Sequence, residues 1–399
     1  MPIEQREVPV EERERFKQRE ESWEEGRAKN ITFIVTEDCQ LRCKYCYLVG
    51  KNPGRRMDFA CGKQTVDYIL GTRALFAEPS VIWEFIGGEP LMEIELIDRL
   101  SDYIKLRMYE TGHPWFDSYR FSLSTNGLLY DDPRVQRFIF KNHGHLSIGI
   151  TIDGIREKHD IARVFPDGRG SYEAVVRNIP LWLRQFPDAG TKVTVAHDDL
   201  PYIKESVLHI WGLGVKTVNI NVVFEDVWQP GDDALFEEQL VSLADAIIDV
   251  ELYREYECSF FDDSIGRPLD PAGDNQNWCG SGKMLAVGAG GEFYPCVRFA
   301  PHSMSSKRPR TVGDCVGGVD TNRLRPFLAL TRLAQSPPEC VACEVASGCA
   351  WCQGLNYEAA ASDTIYQRAT YICLMHKARA RANRYYWDRL RRKRGETLC

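Results

Sequence analysis

The sequence predicts an α/β fold: a partial (βα)6, TIM-like barrel followed by a smaller cysteine-rich domain. Three observations predict it. Strand-like apolar runs recur at 31–35, 81–86, 119–123, 146–152, 191–196 and 217–224. Each interval leaves room for the crossover helix that parallel neighbours require. Eight cysteines then crowd the stretch from Cys279 to Cys373. Six βα units are too few to close an eight-stranded barrel, so an incomplete one is expected.

The elements follow in chain order. Residues 1–30 read as a charged helical arm, with Phe16 and Trp23 seven apart on one helical face. They can lay two aromatics on the body, or form a lid. The barrel takes residues 31–254. In its sixth strand Val218, Ile220, Val222 and Phe224 alternate with Thr217, Asn219, Asn221 and Val223. Its last helix is expected over 232–254, where Phe236, Leu240, Leu243, Ile247 and Val250 recur at steps of four and three after Pro230-Gly231-Asp232. Residues 255–278 turn to Asp, Pro, Gly and Asn and read as a linker. The cysteine-rich domain takes 279–376. Residues 377–399 read as a basic C-terminal helix: nine Lys/Arg against Asp388 up to Arg394, interleaved with Tyr385, Tyr386, Trp387 and Leu390. Packing by those aromatics is its simpler role, and partner binding the alternative.

Bulk properties exclude several classes. The 399 residues can bury two domains' worth of core, and the net charge of −7 argues against general nucleic-acid affinity. No apolar run approaches the roughly 18 residues of a membrane span. The N-terminus lacks a signal peptide's apolar stretch, so a cytoplasmic location is expected. There the fourteen cysteines read as metal ligands rather than disulfides.

Chemistry concentrates in four stretches. Cys39, Cys43 and Cys46 are spaced C-x3-C-x2-C directly after the first strand. Three thiolates can hold three corners of a four-iron cluster and leave one iron for a ligand that is not protein. A zinc site or reduced core thiols are the plainer alternatives. The second strand ends in Gly87-Gly88-Glu89-Pro90, whose glycines permit close backbone approach and whose carboxylate can accept from an ammonium group. The third ends in Ser124-Thr125-Asn126-Gly127, and the fourth runs into Thr151-Ile152-Asp153-Gly154, then His159-Asp160 and Arg163. Taken singly, these are turns and a surface ion pair, and His159 reads as structural.

Together they resemble the radical S-adenosyl-L-methionine (SAM) family. The resemblance implies that Cys39, Cys43 and Cys46 hold a [4Fe-4S] cluster that binds SAM, with Tyr45 the aromatic before the third cysteine. It assigns Gly87, Gly88, Glu89 and Pro90 to the SAM amino group. Ser124, Asn126, Thr151 and Asp153 become further SAM contacts, and Arg163 the partner of its carboxylate. Thr151 stands where the family more often has serine.

The last third, with Cys279, Gly291-x4-Cys296, Cys315, Cys340-x2-Cys343-x5-Cys349-x2-Cys352 and Cys373, resembles the SPASM extension of radical SAM peptide maturases and sulfatase-maturing enzymes. That implies two auxiliary [4Fe-4S] clusters, three clusters in all. Cys279, Cys296 and Cys352, with Cys315 as candidate fourth ligand, would hold the inner one. Cys340, Cys343, Cys349 and Cys373 would hold the outer one. The family usually spaces its last pair C-x3-C, and Cys315 lies in a gap often without cysteine. A structural zinc site is the alternative. Cys61, Cys258 and Cys399 are left over, as two core residues and a terminal thiol.

The resemblance implies a radical SAM maturase of a ribosomally synthesised, cysteine-containing peptide, joining sulfur to carbon in a thioether by way of a 5′-deoxyadenosyl radical. Val297 follows Cys296 where sulfatase-maturing enzymes carry aspartate. Alternatives are sulfatase maturation to formylglycine, other peptide C–C or C–O crosslinking, RNA modification and a non-catalytic electron relay. No catalytic acid or base is assigned. Expected partners are the precursor peptide, an external low-potential electron donor of flavodoxin or ferredoxin type, and a separate leader-recognition protein, since 38 residues before Cys39 are few for a recognition domain. Neither membrane nor nucleic acid is expected.

Overall fold

The computed structural model describes residues 27–396. The charged arm up to residue 26 and Cys399 lie outside the described residues. All six expected strands form. β1 (Lys29–Thr36), β2 (Val81–Gly87), β3 (Tyr119–Thr125) and β4 (Leu146–Ile150) pair in parallel in that order. Ile31, Phe33, Ile34 and Val35 of β1 are fully buried, which is why this strand reads as continuous rather than alternating. β5 (Thr191–Val195) and β6 (Thr217–Val222) pair in parallel in a second ladder, with the two-residue β7 (Glu257–Cys258) beside β6. The six strands therefore form two ladders, not one. Thr191 spans the seam: its hydroxyl donates to the Ile150 carbonyl (2.8 Å) and accepts from the Ile152 amide (3.1 Å).

The cysteine-rich segment continues the first ladder. β8 (Leu285–Val287) runs parallel to β1, and β9 (Glu292–Tyr294), β10 (Gly313–Asp314) and β11 (Gly318–Val319) follow antiparallel. The result is an eight-stranded mixed sheet.

Helix α1 (Phe59–Gly71) starts where the Asp58 carboxylate accepts from the Cys61 amide (2.7 Å). Helix α2 (Ile94–Glu110) buries Ile94, Ile97, Leu100, Ile104 and Met108 along one stripe against the sheet. Helix α3 (Asp232–Asp249) begins after Gly231 at φ +96° and buries Phe236, Leu240, Leu243 and Ile247 as expected. It stops short of 254. Glu251 turns left-handed at φ +60°, and Val250 lies 69% exposed instead of on the buried stripe.

Helix α4 (Cys373–Arg394) packs along α3. Arg389 pairs with Asp245 and Asp249, Arg381 with Glu237, and Tyr385 donates to Asp245. Tyr386 stacks on Phe261 at 4.4 Å. Much of the tail's basic charge is thus matched within the chain. Among the described residues no helix is long and apolar enough to cross a membrane.

Candidate active site

The loop carrying Cys39, Cys43 and Cys46 leaves the carboxyl end of β1 and is bonded to the end of β2. Gly88 donates to the Thr36 carbonyl (2.9 Å) and Glu89 to the Asp38 carbonyl (2.8 Å). A Cβ at Gly87 would lie 2.2 Å from the Thr36 oxygen, and one at Gly88 2.1 Å from the Asp38 oxygen. Only glycine lets the two segments approach this closely. Glu89 is buried and serves as an anchor: Oε1 accepts from Leu91 (3.0 Å) and the Thr125 hydroxyl (2.7 Å), and Oε2 from the Asn126 amide (2.7 Å). Burial raises its pKa despite these donors. Pro90 opens the short buried turn that follows.

Asn126 turns its amide toward Gln40 Oε1 (3.2 Å) and Cys39 Sγ (3.9 Å). Burial pushes the Cys39 thiol up to about 11 and raises Cys43 as well, so a metal bound there must displace protons. Ser124 is exposed on β3, and Thr151, half-buried, donates its amide to the Thr125 carbonyl (3.0 Å).

The far side of the loop is bonded to the segment after β4. Arg42 and Lys44 donate their amides to the Val164 and Ala162 carbonyls (2.7 and 3.0 Å). Between them the Tyr45 hydroxyl donates to Asp153 Oδ2 (2.5 Å) and accepts from Arg163 Nη1 (2.8 Å). Burial would raise the Asp153 pKa, but Lys158, Arg163 and the Tyr45 hydroxyl hold it below the ordinary value. Burial also opposes the Arg163 charge, yet Tyr45, Cys43 and Asp153 outweigh it, and the guanidinium stays protonated.

His159 supports this group from behind. Its Nδ1 accepts from the Asp153 amide (3.2 Å), which leaves Nε2 to donate to Ser171 Oγ (3.0 Å), and Ser171 donates to the Arg163 carbonyl (2.8 Å). Burial, with Arg163 adding to it, drives the His159 pKa down to about 3. It is a neutral positioning residue.

The remaining cysteines fall into separate sets. Cys340, Cys343, Cys349 and Cys373 ring a cavity of about 180 Å3 with Arg332, Arg368 and His376. Arg368 Nη2 donates to Cys349 Sγ at 3.3 Å. Cys279 and Cys352 lie close enough to shift each other's thiols, with Cys296 in electrostatic reach of both. Cys279, with Arg298 adding to the effect, holds the Cys352 thiol below its ordinary range against its burial. Four thiols on one cavity wall match a polynuclear cluster in donor type, while among the described residues no three Cys, His, Asp or Glu side chains are grouped closely enough to hold a single metal ion. Cys315 does not join the Cys279, Cys296 and Cys352 set. Its amide bonds the Gly291 carbonyl (2.9 Å) at the opposite end of β9 from Cys296, and its thiol meets Cys61.

A mouth of about 490 Å3 opens between the cysteine loop and the C-terminal segment, lined by Tyr45, Cys46, Tyr47, His197, Glu225 and Arg298 among others. Arg298 donates to Glu225 Oε1 (2.8 Å), and its guanidinium lies 4.8 Å from the Tyr47 ring centre. Burial opposes its charge, but Cys352 and Glu225 favour it, so this one side chain links the mouth to the Cys352 set. Sequence reasoning missed the pair. The available signal was position: Arg298 lies two residues past Cys296, and Glu225 just beyond the sixth strand. A larger hollow of about 940 Å3 beside Lys29, Asn30 and Trp278 has no cysteine on its wall.

Residues 33–221 match the radical SAM superfamily. An uncharacterised protein of Methanocaldococcus jannaschii is 27% identical over 200 residues, covering 49% of this chain and 63% of that protein. A serine-type anaerobic sulfatase-maturating enzyme of Klebsiella aerogenes is 31% identical over 165 residues, covering 41% of this chain and 38% of the enzyme. The chain thus spans less than two thirds of either relative. In fold, it resembles native anSMEcpe with bound AdoMet at a TM-score of 0.66 and 17% identity, covering 93% of this chain and 100% of that one. It also resembles Streptococcus suis SuiB bound to precursor peptide SuiA at 0.58 and 12%, covering 93% and 82%. The segment from 33 to 221, with its cysteine loop on β1 and its parallel strands, is a domain of the radical SAM superfamily.

Proposed function

We propose that this chain is a radical SAM maturase of a cysteine-containing peptide and that it forms sulfur-to-carbon thioether bonds. The observation that carries the reading is the mouth, which joins Tyr45, Cys46 and Tyr47 on one wall to Arg298 on the other, with Cys352 behind it. When bound, a [4Fe-4S] cluster on Cys39, Cys43 and Cys46 together with SAM supplies a 5′-deoxyadenosyl radical. Gly87 and Gly88 let the end of β2 close onto the cysteine loop, Glu89 and Asn126 fix the loop there, and Arg163 offers a fixed positive charge for the ligand's carboxylate. The six strands would form the partial barrel that shields such chemistry from water, with residues 279–376 as a SPASM-like cover.

Two further [4Fe-4S] clusters are part of the proposal. Cys340, Cys343, Cys349 and Cys373 would hold the outer one. Cys279, Cys296 and Cys352 would hold the inner one by three corners, leaving the fourth for a ligand such as a substrate thiolate. A low-potential electron donor and a leader-recognition protein complete the expected partners. The SuiB neighbour, solved with its precursor peptide, supports a peptide substrate.

Sulfatase maturation is the second reading, favoured by the Klebsiella relative. Against it, Val297 puts no carboxylate directly after Cys296, although Glu225 brings one into the mouth from the loop after β6. Anaerobic co-expression with a cysteine-containing peptide separates the readings. A thioether lowers peptide mass by about two daltons per bond, the balance of a two-electron oxidation, and removes an alkylatable thiol. Formylglycine formation in a sulfatase peptide, with no crosslink in any cysteine peptide, supports the second reading instead.

A further inference from the structure

Cys61 and Cys315 stand outside every cysteine set described above, and they meet. The Cys315 thiol lies close enough to raise the pKa of Cys61. Gly291 gives an independent measure: a Cβ built on it would lie 2.5 Å from Cys315 Sγ and 3.1 Å from Cys61 Sγ. Two sulfurs so close to one point are neighbours. Gly291 is suited to lie beneath them twice over, because its φ of +85° is left-handed and the space its side chain would need is occupied by sulfur.

Both backbones are fixed. Cys61 lies in the first turn of α1, its amide bonded to Asp58 Oδ1 (2.7 Å). Cys315 follows β10, its amide bonded to Gly291. Cys315 is 8% exposed and Cys61 half-buried, so a small reagent reaches the pair from the Cys61 side.

We propose that Cys61 and Cys315 form a dithiol–disulfide site that exchanges with low-molecular-weight disulfides and, when oxidised, ties α1 to the β10–β11 hairpin. One S–S bond breaks and one forms. The small disulfide takes up two electrons and the two protons shed by Cys61 and Cys315, and leaves as two thiols. Burial, Cys315, Asp58 and Glu292 push the Cys61 thiol up to about 12, so exchange is slow and the link behaves as a staple rather than a rapid sensor. The staple touches none of the thiols proposed as cluster ligands. It adds a covalent tie between the cysteine-rich segment and the rest of the fold, beside the separate β8–β1 pairing.

The test uses anaerobically isolated holoprotein incubated with oxidised glutathione, acid-quenched, alkylated and digested without reductant. A Cys61–Cys315 linked peptide is expected in most chains, with iron per chain unchanged. Cys61→Ser should abolish that peptide and keep the iron. Cys315→Ala should do the same, and it reads the proposal on its own if Cys61→Ser fails to fold. Recovery of both cysteines fully alkylated after oxidant, or linked to other cysteines, overturns the proposal. So does loss of about four irons per chain in Cys315→Ala, since that would make Cys315 a cluster ligand.

Discussion

Arg163 donates to the Tyr45 hydroxyl across 2.8 Å, joining the cysteine loop to the segment after β4. Tyr45 sits between Cys43 and Cys46, so this bond positions two of the three thiols. Tyr45→Phe removes the hydroxyl and leaves Arg163 and Asp153 short of a partner inside the fold. The expected cost is about 1–3 kcal/mol of stability, read as a lowered denaturant midpoint. An unchanged midpoint would contradict this role for the hydroxyl.

Gly88→Ala should strip the first site selectively. Its Cβ would lie 2.1 Å from the Asp38 oxygen and 2.9 Å from Cys39 Cβ, and backbone cannot move aside cheaply. Reconstituted protein should lose about four irons per chain and keep the C-terminal ones. Gly50→Ala, where an added Cβ meets nothing within 4 Å, should keep all of them. Iron and sulfide analysis with the two variants in parallel checks the contrast.

Acid should destabilise the fold through His159. Its folded pKa of about 3 lies below the ordinary 6.5. The unfolded chain therefore binds a proton over that window which the folded chain does not, and stability rises with pH there. The contribution is complete above 6.5 and is lost as pH falls toward 3, by up to about 1.4 kcal/mol per pH unit. His113, His302 and His376, each depressed to about 4 by burial, act in the same direction. Urea midpoints at pH 7 and pH 5 should differ less in His159→Asn than in the parent. An identical difference would remove His159 from this account.

Arg368 should tune the outer cysteine set. Its guanidinium donates to Cys349 Sγ at 3.3 Å, and positive charge beside thiolates favours the reduced, more negative form of a cluster. Arg368→Gln should lower that cluster's reduction potential by on the order of tens of millivolts. A redox titration followed by electron paramagnetic resonance measures it, and an unchanged or higher potential counts against the assignment.

The six expected strands were legible because each is an apolar run set off by helix-length intervals. β8 to β11 were not, since two or three residues carry no period and form only by pairing onto β1 and one another. Val250 fits the helical spacing of α3, yet Glu251 leaves the helical region just after it, which spacing alone does not reveal. The bonded group of Tyr45, Asp153 and Arg163 was present as separate motif positions, and the fold supplied their contact. Arg298 and Glu225 come from distant elements and belong to no motif. Cys315 was a candidate fourth ligand by its place in the cysteine run, and sequence position is blind to Cys61 beside it.

The central claim is that Cys39, Cys43 and Cys46 hold the cluster that opens SAM. Its most direct test is 5′-deoxyadenosine release from SAM under anaerobic reduction, comparing the parent with the triple alanine variant. The account predicts release by the parent and none by the variant, which should still hold about eight irons per chain in its C-terminal cysteine sets. Continued reductive cleavage by the triple variant, or none by the fully reconstituted parent, would contradict it.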